Sequence, residues 1–183
     1  SLSRVFRGIL ALESYSSDHG SEGLKCWPFF ALKLSIRTHD NLVNAIRSFM
    51  KPGRWFDGIR CLQSTTEERC AFVKKIMAFS SFPEVFVFSL DRVEWDNQTG
   101  HQEEVYHLVA FPMLLDMGDY NYPYGEHRYA LYAVIDACGD RHAAHILAAD
   151  GTWFRSVGDC IERIDAHRVL EARASMLFYR MLP

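Results

Sequence analysis

The sequence predicts an α+β protein that is mainly antiparallel β-sheet with few helices, in a single domain over residues 1–183. Short segments rich in β-branched and aromatic residues, several with alternating apolar and polar positions, recur along the chain and are typical of strands. Only one segment shows apolar residues at helical spacing behind a capping residue. An apolar content of 49% with 23% charged residues is that of a folded domain, which at this length buries about two-thirds of its unfolded surface.

The N-terminal part of the chain contains the one predicted helix. Residues 2–12 are predicted as a strand, and the polar residues 14–23 as a turn. Residues 29–36 end in an alternation of apolar and polar side chains, which is the period of a half-buried strand. Asp40 is the expected N-cap of a helix through Met50, and the Pro-Gly pair that follows ends it.

Strands dominate the rest of the prediction. A turn at 96–100 and a tyrosine-containing loop at 118–125 interrupt them. The predicted strands are residues 72–79, 84–90, 105–111, 128–137, 143–150, 152–157 and 174–180.

Charge and cysteine usage exclude several classes of protein. The net charge of -3 and the pI near 6.2 provide no general attraction for nucleic acid, so a nucleic-acid contact is not indicated. No apolar run is long enough to span a membrane, and no signal sequence opens the chain, so no membrane association is expected. Five scattered cysteines favour an intracellular, reducing compartment without disulfides, with cytosol or nucleus expected ahead of an organelle.

Five segments and the order of the C-terminal strands resemble the ubiquitin-specific protease family, a cysteine-peptidase-like fold of palm, fingers and helical thumb. The segments are LSRVFRG (2–8), WPFFALKLSI (27–36), NLVNAIRSF (41–49), FPEVFVFSLDRV (82–93) and FPMLLDM (111–117). The closing order, over 129–179, is a strand, a histidine, a Trp-aromatic strand and a final Leu-Phe-Tyr strand. The resemblance implies fingers over about 1–90, including the helix at 40–51, and a palm sheet over about 84–183.

The same resemblance implies that the family's nucleophile is missing. In the family the catalytic cysteine lies in an Asn-x-Gly-x-x-Cys-Tyr box that opens an N-terminal helical thumb, and this sequence contains no such box. Cys26 stands in another context, KCWP, and is expected to fill a small apolar gap. Without a thiolate beside the histidine, acyl transfer has no first step. The sequence leaves open whether the natural protein has a thumb elsewhere or another chain carries it.

His145 occupies the position of the family's general base, which takes the thiol proton while an Asp or Asn orients the ring. On straight alignment the orienting position is Val157, which cannot hydrogen-bond an imidazole. Asp159 lies two residues further on and substitutes only through a local backbone shift. The family's flanking glycine and tyrosine are replaced by Ala144 and Ile146. We therefore expect His145 to be a strand histidine without a catalytic duty.

The fingers of the family often hold a structural zinc between two Cys-x-x-Cys pairs. The corresponding places retain one histidine and one cysteine, and a second cysteine lies nearby in sequence: His19, Cys61 and Cys70. A ligand set this incomplete is a weak site, so we expect a degenerate zinc site at most, with no metal and no cofactor.

Asp116 and Tyr122 belong to a region that, by resemblance, lies near the basic end of the ubiquitin tail. The resemblance therefore implies a weak ubiquitin-tail contact at these residues, and an ordinary surface loop is the alternative.

Three functions follow from these observations. The first is a catalytically inactive ubiquitin-specific-protease-like domain that acts as a scaffold or structural subunit of a larger assembly of protein subunits. The second is a ubiquitin-binding module that retains recognition without chemistry. The third is part of an active deubiquitinase, a thiol hydrolase whose catalytic cysteine lies on another segment or chain. Because one fold serves many functions, the fold alone does not choose among them.

Overall fold

A computed structural model describes residues 2–16, 20–51, 53–56, 72–96, 100–120, 125–138 and 141–183. Three short helices lie in these ranges, namely α1 (Leu2–Phe6), α2 (Leu42–Met50) and α3 (Ala166–Leu170), together with a 3₁₀ turn at Gly118–Tyr120. The strands of the N-terminal half are β1 (Gly8–Ser16), β2 (Gly20–Phe29), β3 (Leu32–Ser35), β4 (Gly53–Phe56), β5 (Phe72–Ser81), β6 (Val85–Asp91) and β7 (Val93–Asp96). Those of the C-terminal half are β8 (His101–Glu104), β9 (Leu114–Asp116), β10 (Arg128–Cys138), β11 (Arg141–Leu147), β12 (Trp153–Val157), β13 (Cys160–Ile164) and β14 (Ala174–Met181).

The strands form two main sheets and a separate hairpin. The large sheet has the order β13-β12-β11-β10-β14-β6-β3, and β9 pairs with the N-terminal end of β10. Its ladders are antiparallel except for the parallel pair of β3 and β6. The small sheet has the order β2-β1-β5-β4, and β7 pairs with β8. The predicted α+β fold, mainly antiparallel with few helices, is confirmed.

An aromatic cluster joins the two sheets. Phe29 and Phe79 of the small sheet have ring centroids 5.6 Å apart, and Phe79 meets Phe86 of the large sheet edge-on at 5.5 Å. Phe86 in turn contacts Tyr129 edge-on at 5.7 Å. Each such pair contributes about 0.5–1.5 kcal/mol beyond its area burial. The cluster therefore holds the small sheet against the end of the large one.

The predicted helix is confirmed as α2, but its N-cap is Asn41 and not Asp40. The Asn41 side-chain oxygen accepts a hydrogen bond from the Asn44 backbone N–H at 2.8 Å, which satisfies one of the free donors of the first turn. The Asp40 carboxylate instead accepts a hydrogen bond from the Asn41 side chain at 2.9 Å. The buried face of α2 then carries Leu42, Ala45, Ile46 and Met50.

Other element predictions needed correction. The N-terminal segment opens with α1 and becomes strand only at Gly8, and its strand continues through Ser16 into the predicted turn. Residues 105–111, predicted as a strand, join no strand ladder. The guanidinium of Arg92 instead occupies the backbone carbonyls of Val105 and His107 by donating hydrogen bonds to them, so a neighbouring strand cannot use these carbonyls. Strand β13 and helix α3 were not predicted.

Candidate site around His145

The large sheet places His145 in the middle of β11, with its side chain on the covered face. His145 lies opposite Val134 of β10 and Arg155 of β12, and antiparallel partners project to the same face. Val134 is fully buried, and His145 is only 3% exposed. We call this covered side the inner face. His142, three residues earlier on the same strand, is exposed.

Asp136 of β10 is the acidic neighbour of His145. Asp136 lies opposite Ala143, so it stands diagonally from His145 on the inner face. Their nearest atoms, His145 Nε2 and Asp136 Oδ2, are 3.6 Å apart, which is ion-pair range and too long for a hydrogen bond. Neither ring nitrogen of His145 has a hydrogen-bond partner within the described residues.

The environment of Asp136 stabilises its charged form. The neighbouring His145 imidazole lowers the pKa of Asp136 below its usual value, and the positive charge of Arg155 and the Arg173 backbone N–H act in the same direction. Partial burial opposes them, since the carboxylate is only 13% exposed. Asp136 is therefore an ionised group on the inner face at neutral pH.

Helix α3 covers this end of the inner face. Val169 of α3 and Ala172, two residues past its end, are buried in the hydrophobic core and anchor the helix. A pocket of about 240 Å³ remains beneath it, lined by Asp136, His145, Arg155, Arg168, Glu171 and Ala172. Four of these six are ionisable besides the imidazole, so the pocket is polar in character.

Arg92 braces the strands beside the pocket. Its Nε and Nη2 donate to the Ala174 carbonyl at 3.0 and 2.8 Å, and its Nη1 donates to the carbonyls of Val105 and His107 at 3.2 and 2.6 Å. Burial lowers the pKa of Arg92, the nearby Arg173 lowers it further, and Asp136 opposes both. Asp136 is thus a counter-charge for Arg92 as well as the neighbour of His145.

The structure separates His145 from the other residues of the predicted catalytic set. Val157 lies opposite Cys160, two residues beyond the Arg155 that faces His145. Asp159 is exposed in the tight turn after β12, which Gly158 enters at a positive φ of 57°. Strand β12 ends at Val157, about 7 Å along the strand from Arg155 at about 3.3 Å per residue, and Asp159 lies beyond that end in the turn.

The remaining predicted residues lie apart from the pocket or outside the described ranges. Asp116 is exposed on β9, where its Oδ1 accepts a hydrogen bond from the Gly118 backbone N–H at 2.9 Å. Tyr122 lies outside the described residues, as do the three proposed zinc ligands, His19, Cys61 and Cys70. Of the ranges the structure does describe, none contains a cluster of three ligands suited to a metal ion. Nor does any described helix have the length and apolar content needed to cross a membrane.

Cysteine placement bears directly on a thiol mechanism. Cys26 and Cys160 carry free, exposed thiols, and Cys26 does not fill an apolar gap as expected. Within the part of the chain whose side chains the structure describes, no cysteine lines the pocket of His145. Sequence analysis missed Asp136 and Arg155; the one available signal was a single carboxylate near the end of the otherwise uncharged segment YALYAVID (129–136).

Comparison with protein families identifies the family to which this chain belongs. A family model described as "Ubiquitin carboxyl-terminal hydrolase" matches residues 5–179, and the chain therefore belongs to this family. Among curated relatives, the chain is 27% identical over 175 residues to ubiquitin carboxyl-terminal hydrolase 48 of Rattus norvegicus, covering 90% of this chain and 16% of the relative. It is 25% identical over 162 residues to ubiquitin carboxyl-terminal hydrolase 5 of Schizosaccharomyces pombe, covering 82% of this chain and 14% of the relative.

Solved structures agree with the fold. A chain of the SAGA DUB module Ubp8/Sgf11/Sus1/Sgf73 bound to monoubiquitin superposes with a TM-score of 0.88 at 22% identity, covering 100% of this chain and 42% of that chain. A chain of the yeast SAGA DUB module with a mutant Sgf73 superposes with a TM-score of 0.87, also at 22% identity, with the same coverage. The protein described here thus spans less than half of these structural relatives and about one-sixth of the curated ones.

Proposed function

We propose that this domain is a catalytically inactive, ubiquitin-specific-protease-like module that acts as a scaffold or structural subunit of a larger assembly. The observation that carries the proposal is the setting of His145, which is 3% exposed on the inner face beneath α3. A general base must lie within hydrogen-bond reach of the group whose proton it takes. Among the described residues, the charged groups that line the pocket with this imidazole are two carboxylates and two guanidiniums, and none of them is a nucleophile for acyl transfer.

The outer face of the large sheet supports a role in contacts with other proteins. Ladder register places Phe178, Ile146 and Phe154 in one row across β14, β11 and β12, with Ala133 between the first two. Ile146 is 48% exposed, and the two phenylalanines are half-buried. Ile161 of the edge strand β13 adds a further exposed apolar side chain on this face. Contiguous apolar side chains at a surface are typical of protein contact sites.

Hydrolysis by the natural protein tests this proposal. We would measure cleavage of a fluorogenic ubiquitin C-terminal amide and labelling by a thiol-reactive ubiquitin probe, using the full natural protein and not this segment alone. The expected result is no turnover and no labelling. Any cleavage would overturn the proposal, and its loss in His145→Ala with retention in the exposed control His142→Ala would identify His145 as a functioning base.

Ubiquitin binding is the second candidate, and it is favoured by the likeness to a chain of a module bound to monoubiquitin. Calorimetric titration of mono-ubiquitin into the purified chain tests it, with Asp116→Ala as the variant and Asp159→Ala as a control at another exposed aspartate. Saturable binding that weakens only in the Asp116 variant would support a recognition module. Absence of heat up to about millimolar ubiquitin, a regime worth about 4 kcal/mol, would exclude it.

The third candidate, part of an active deubiquitinase, is favoured by the 42% coverage of the structural relative, since more than half of that chain has no counterpart here. Its test is the same hydrolysis assay on the full natural protein. Turnover there, together with none by this segment alone, would support a nucleophile carried by another segment or chain.

A further inference from the structure

We propose that the pocket beneath α3 binds a single oxyanion group, a carboxylate or a phosphate, held by Arg155, Arg168 and the imidazole of His145. The proposal does not rest on the absence of catalysis, because it concerns groups on the inner face that the proposed scaffold role does not use. It starts from an unsatisfied polar side chain and a pocket that opens onto it.

His145 is the first observation. Buried polar groups are almost always hydrogen-bonded, so a side chain that is 3% exposed with both ring nitrogens unpartnered calls for a partner outside the described chain. The imidazole lines the pocket, and a group in the pocket is therefore within its reach. An ordered water is the simplest such partner, and the test below is designed to separate it from an anion.

The guanidiniums are the second observation, because they give the pocket its selectivity. The side chain of Arg168 makes no hydrogen bond or ion pair with the described part of the chain, since only its backbone N–H is engaged, to the Asp165 carbonyl. Arg155 pairs with Glu162 at 3.3 Å through one nitrogen, which leaves its other donors available. A guanidinium presents a planar fork of donors that matches a carboxylate or a phosphate.

The two carboxylates of the pocket do not reverse this preference. Asp136 already faces His145 and Arg155 and accepts the Arg173 backbone N–H, so its charge is largely compensated. Glu171 is exposed at the C-cap of α3 and remains solvated. A cation in the same place would face Arg155 and Arg168, and no three-ligand metal cluster occurs among the described residues. The charges therefore favour a single anion.

The size of the pocket limits what enters. A volume of about 240 Å³ lies below the range of about 300–1,000 Å³ that is usual for drug-sized ligands. The pocket is large enough for one oxyanion group and a short chain of atoms that carries it. Carboxylates and phosphates share this recognition chemistry, and the arms of the test distinguish them.

Nuclear magnetic resonance of the ¹⁵N-labelled chain tests the proposal. Inorganic phosphate and acetate would be added separately to about 50 mM, beyond the millimolar affinities expected of so small a ligand, with chloride at matched ionic strength. We expect saturable shifts of the His145 ring nitrogens and the Arg155 side chain with phosphate or acetate but not with chloride. Tighter binding of acetate would indicate that the pocket recognises a carboxylate, and tighter binding of phosphate would indicate a phosphate group.

Matched variants locate the binding. Arg168→Gln should weaken the affinity about tenfold or more, since it removes a charge-assisted contact from an exposed position without disturbing the core. Arg163→Gln is the control, because Arg163 pairs with Phe154 on the outer face of the same sheet. Shifts that are equal for chloride, absent throughout, or equal in the two variants would overturn the proposal and leave a water as the partner of His145.

Discussion

The imidazole of His145 and the carboxylate of Asp136 stand 3.6 Å apart on adjacent strands, in a diagonal relationship that the register of β10 and β11 sets. The observed register places Asp136 opposite Ala143 and His145 opposite Val134, so the side chains of Asp136 and His145 both lie on the inner face. A shift by one residue would send the imidazole to the opposite face of the sheet. The polar pocket beneath α3 therefore depends on the pairing of these two strands.

Replacing Asp136 with Asn should destabilise the protein at neutral pH. The pKa of Asp136 is lowered by His145 first, so the carboxylate contributes stability above the ordinary pKa of an unfolded Asp, about 3.9. That contribution is lost as pH falls through the lower, folded-state pKa. We expect Asp136→Asn to reduce the free energy of unfolding by about 1–3 kcal/mol at pH 7.

Urea unfolding of both proteins at neutral pH and down to about pH 3.5 measures this difference. The difference in unfolding free energy between the unsubstituted protein and Asp136→Asn should become smaller toward pH 3.5. Asp159→Asn, at an exposed turn position, is the control and should change little at any pH. A constant gap across the whole range would contradict the assignment of Asp136 as an ionised, stabilising group.

Arg92→Lys tests whether the guanidinium braces the strands around β14. Arg92 donates four hydrogen bonds to three carbonyls, and an ammonium cannot reproduce that fork. We expect a loss of about 2–4 kcal/mol in the free energy of unfolding, since at least one buried carbonyl is left unpaired. Arg163→Lys on the exposed edge strand is the matched control. A loss no larger than that of the control would exclude the bracing role.

Gly8→Ala should disturb the aromatic cluster between the sheets. A Cβ on Gly8 would clash with the ring of Phe29, which is itself packed against Phe79 and Phe86. Such overpacking costs about 1–3 kcal/mol. Thermal unfolding of Gly8→Ala, Phe29→Leu and the double variant measures the coupling. The double variant should lose less stability than the two single variants lose together, because the smaller side chain makes room for the Cβ. Strictly additive losses would show that the ring of Phe29 is not displaced.

Tyr179 and Tyr129 should make the protein sensitive to alkali. Burial raises the pKa of each phenol, and their hydroxyls donate to the carbonyls of Pro112 at 2.6 Å and Pro83 at 2.8 Å. Because the folded-state pKa is the higher one, this stability is complete below the unfolded value of about 10 and is lost as pH rises through the folded value.

The unfolding free energy of the unsubstituted protein should fall steeply between pH 8 and about pH 11. The fall should be less steep for Tyr179→Phe, which has one buried phenol fewer. The phenylalanine variant should also lose about 1 kcal/mol at neutral pH through its unmade hydrogen bond. Tyrosinate absorbance provides an independent readout, since the buried phenols should ionise only as the protein unfolds. Ionisation of Tyr179 in the folded protein would contradict its burial.

Two strands of the C-terminal half were predicted closely because their signals are local. Segments predicted at 152–157 and 174–180 appear as Trp153–Val157 and Ala174–Met181, within one residue at each end. Helix α2 was found for the same reason, with an error of one residue at its cap. Residues 105–111 failed as a strand because Arg92, thirteen or more residues earlier, takes their carbonyls. No local pattern contains that contact.

Periodicity predicted the fold class of this chain and a strand around His145, and the resemblance of its segments to the ubiquitin-specific proteases predicted its family. Only the tertiary structure decided which way that histidine faces and which groups surround it. Asp136, Arg155 and Arg168 reach the pocket from three separate elements, through strand register and the docking of α3. Side-chain direction in a strand reverses with every residue, so the residues that share the pocket could be identified only once the strand register was known.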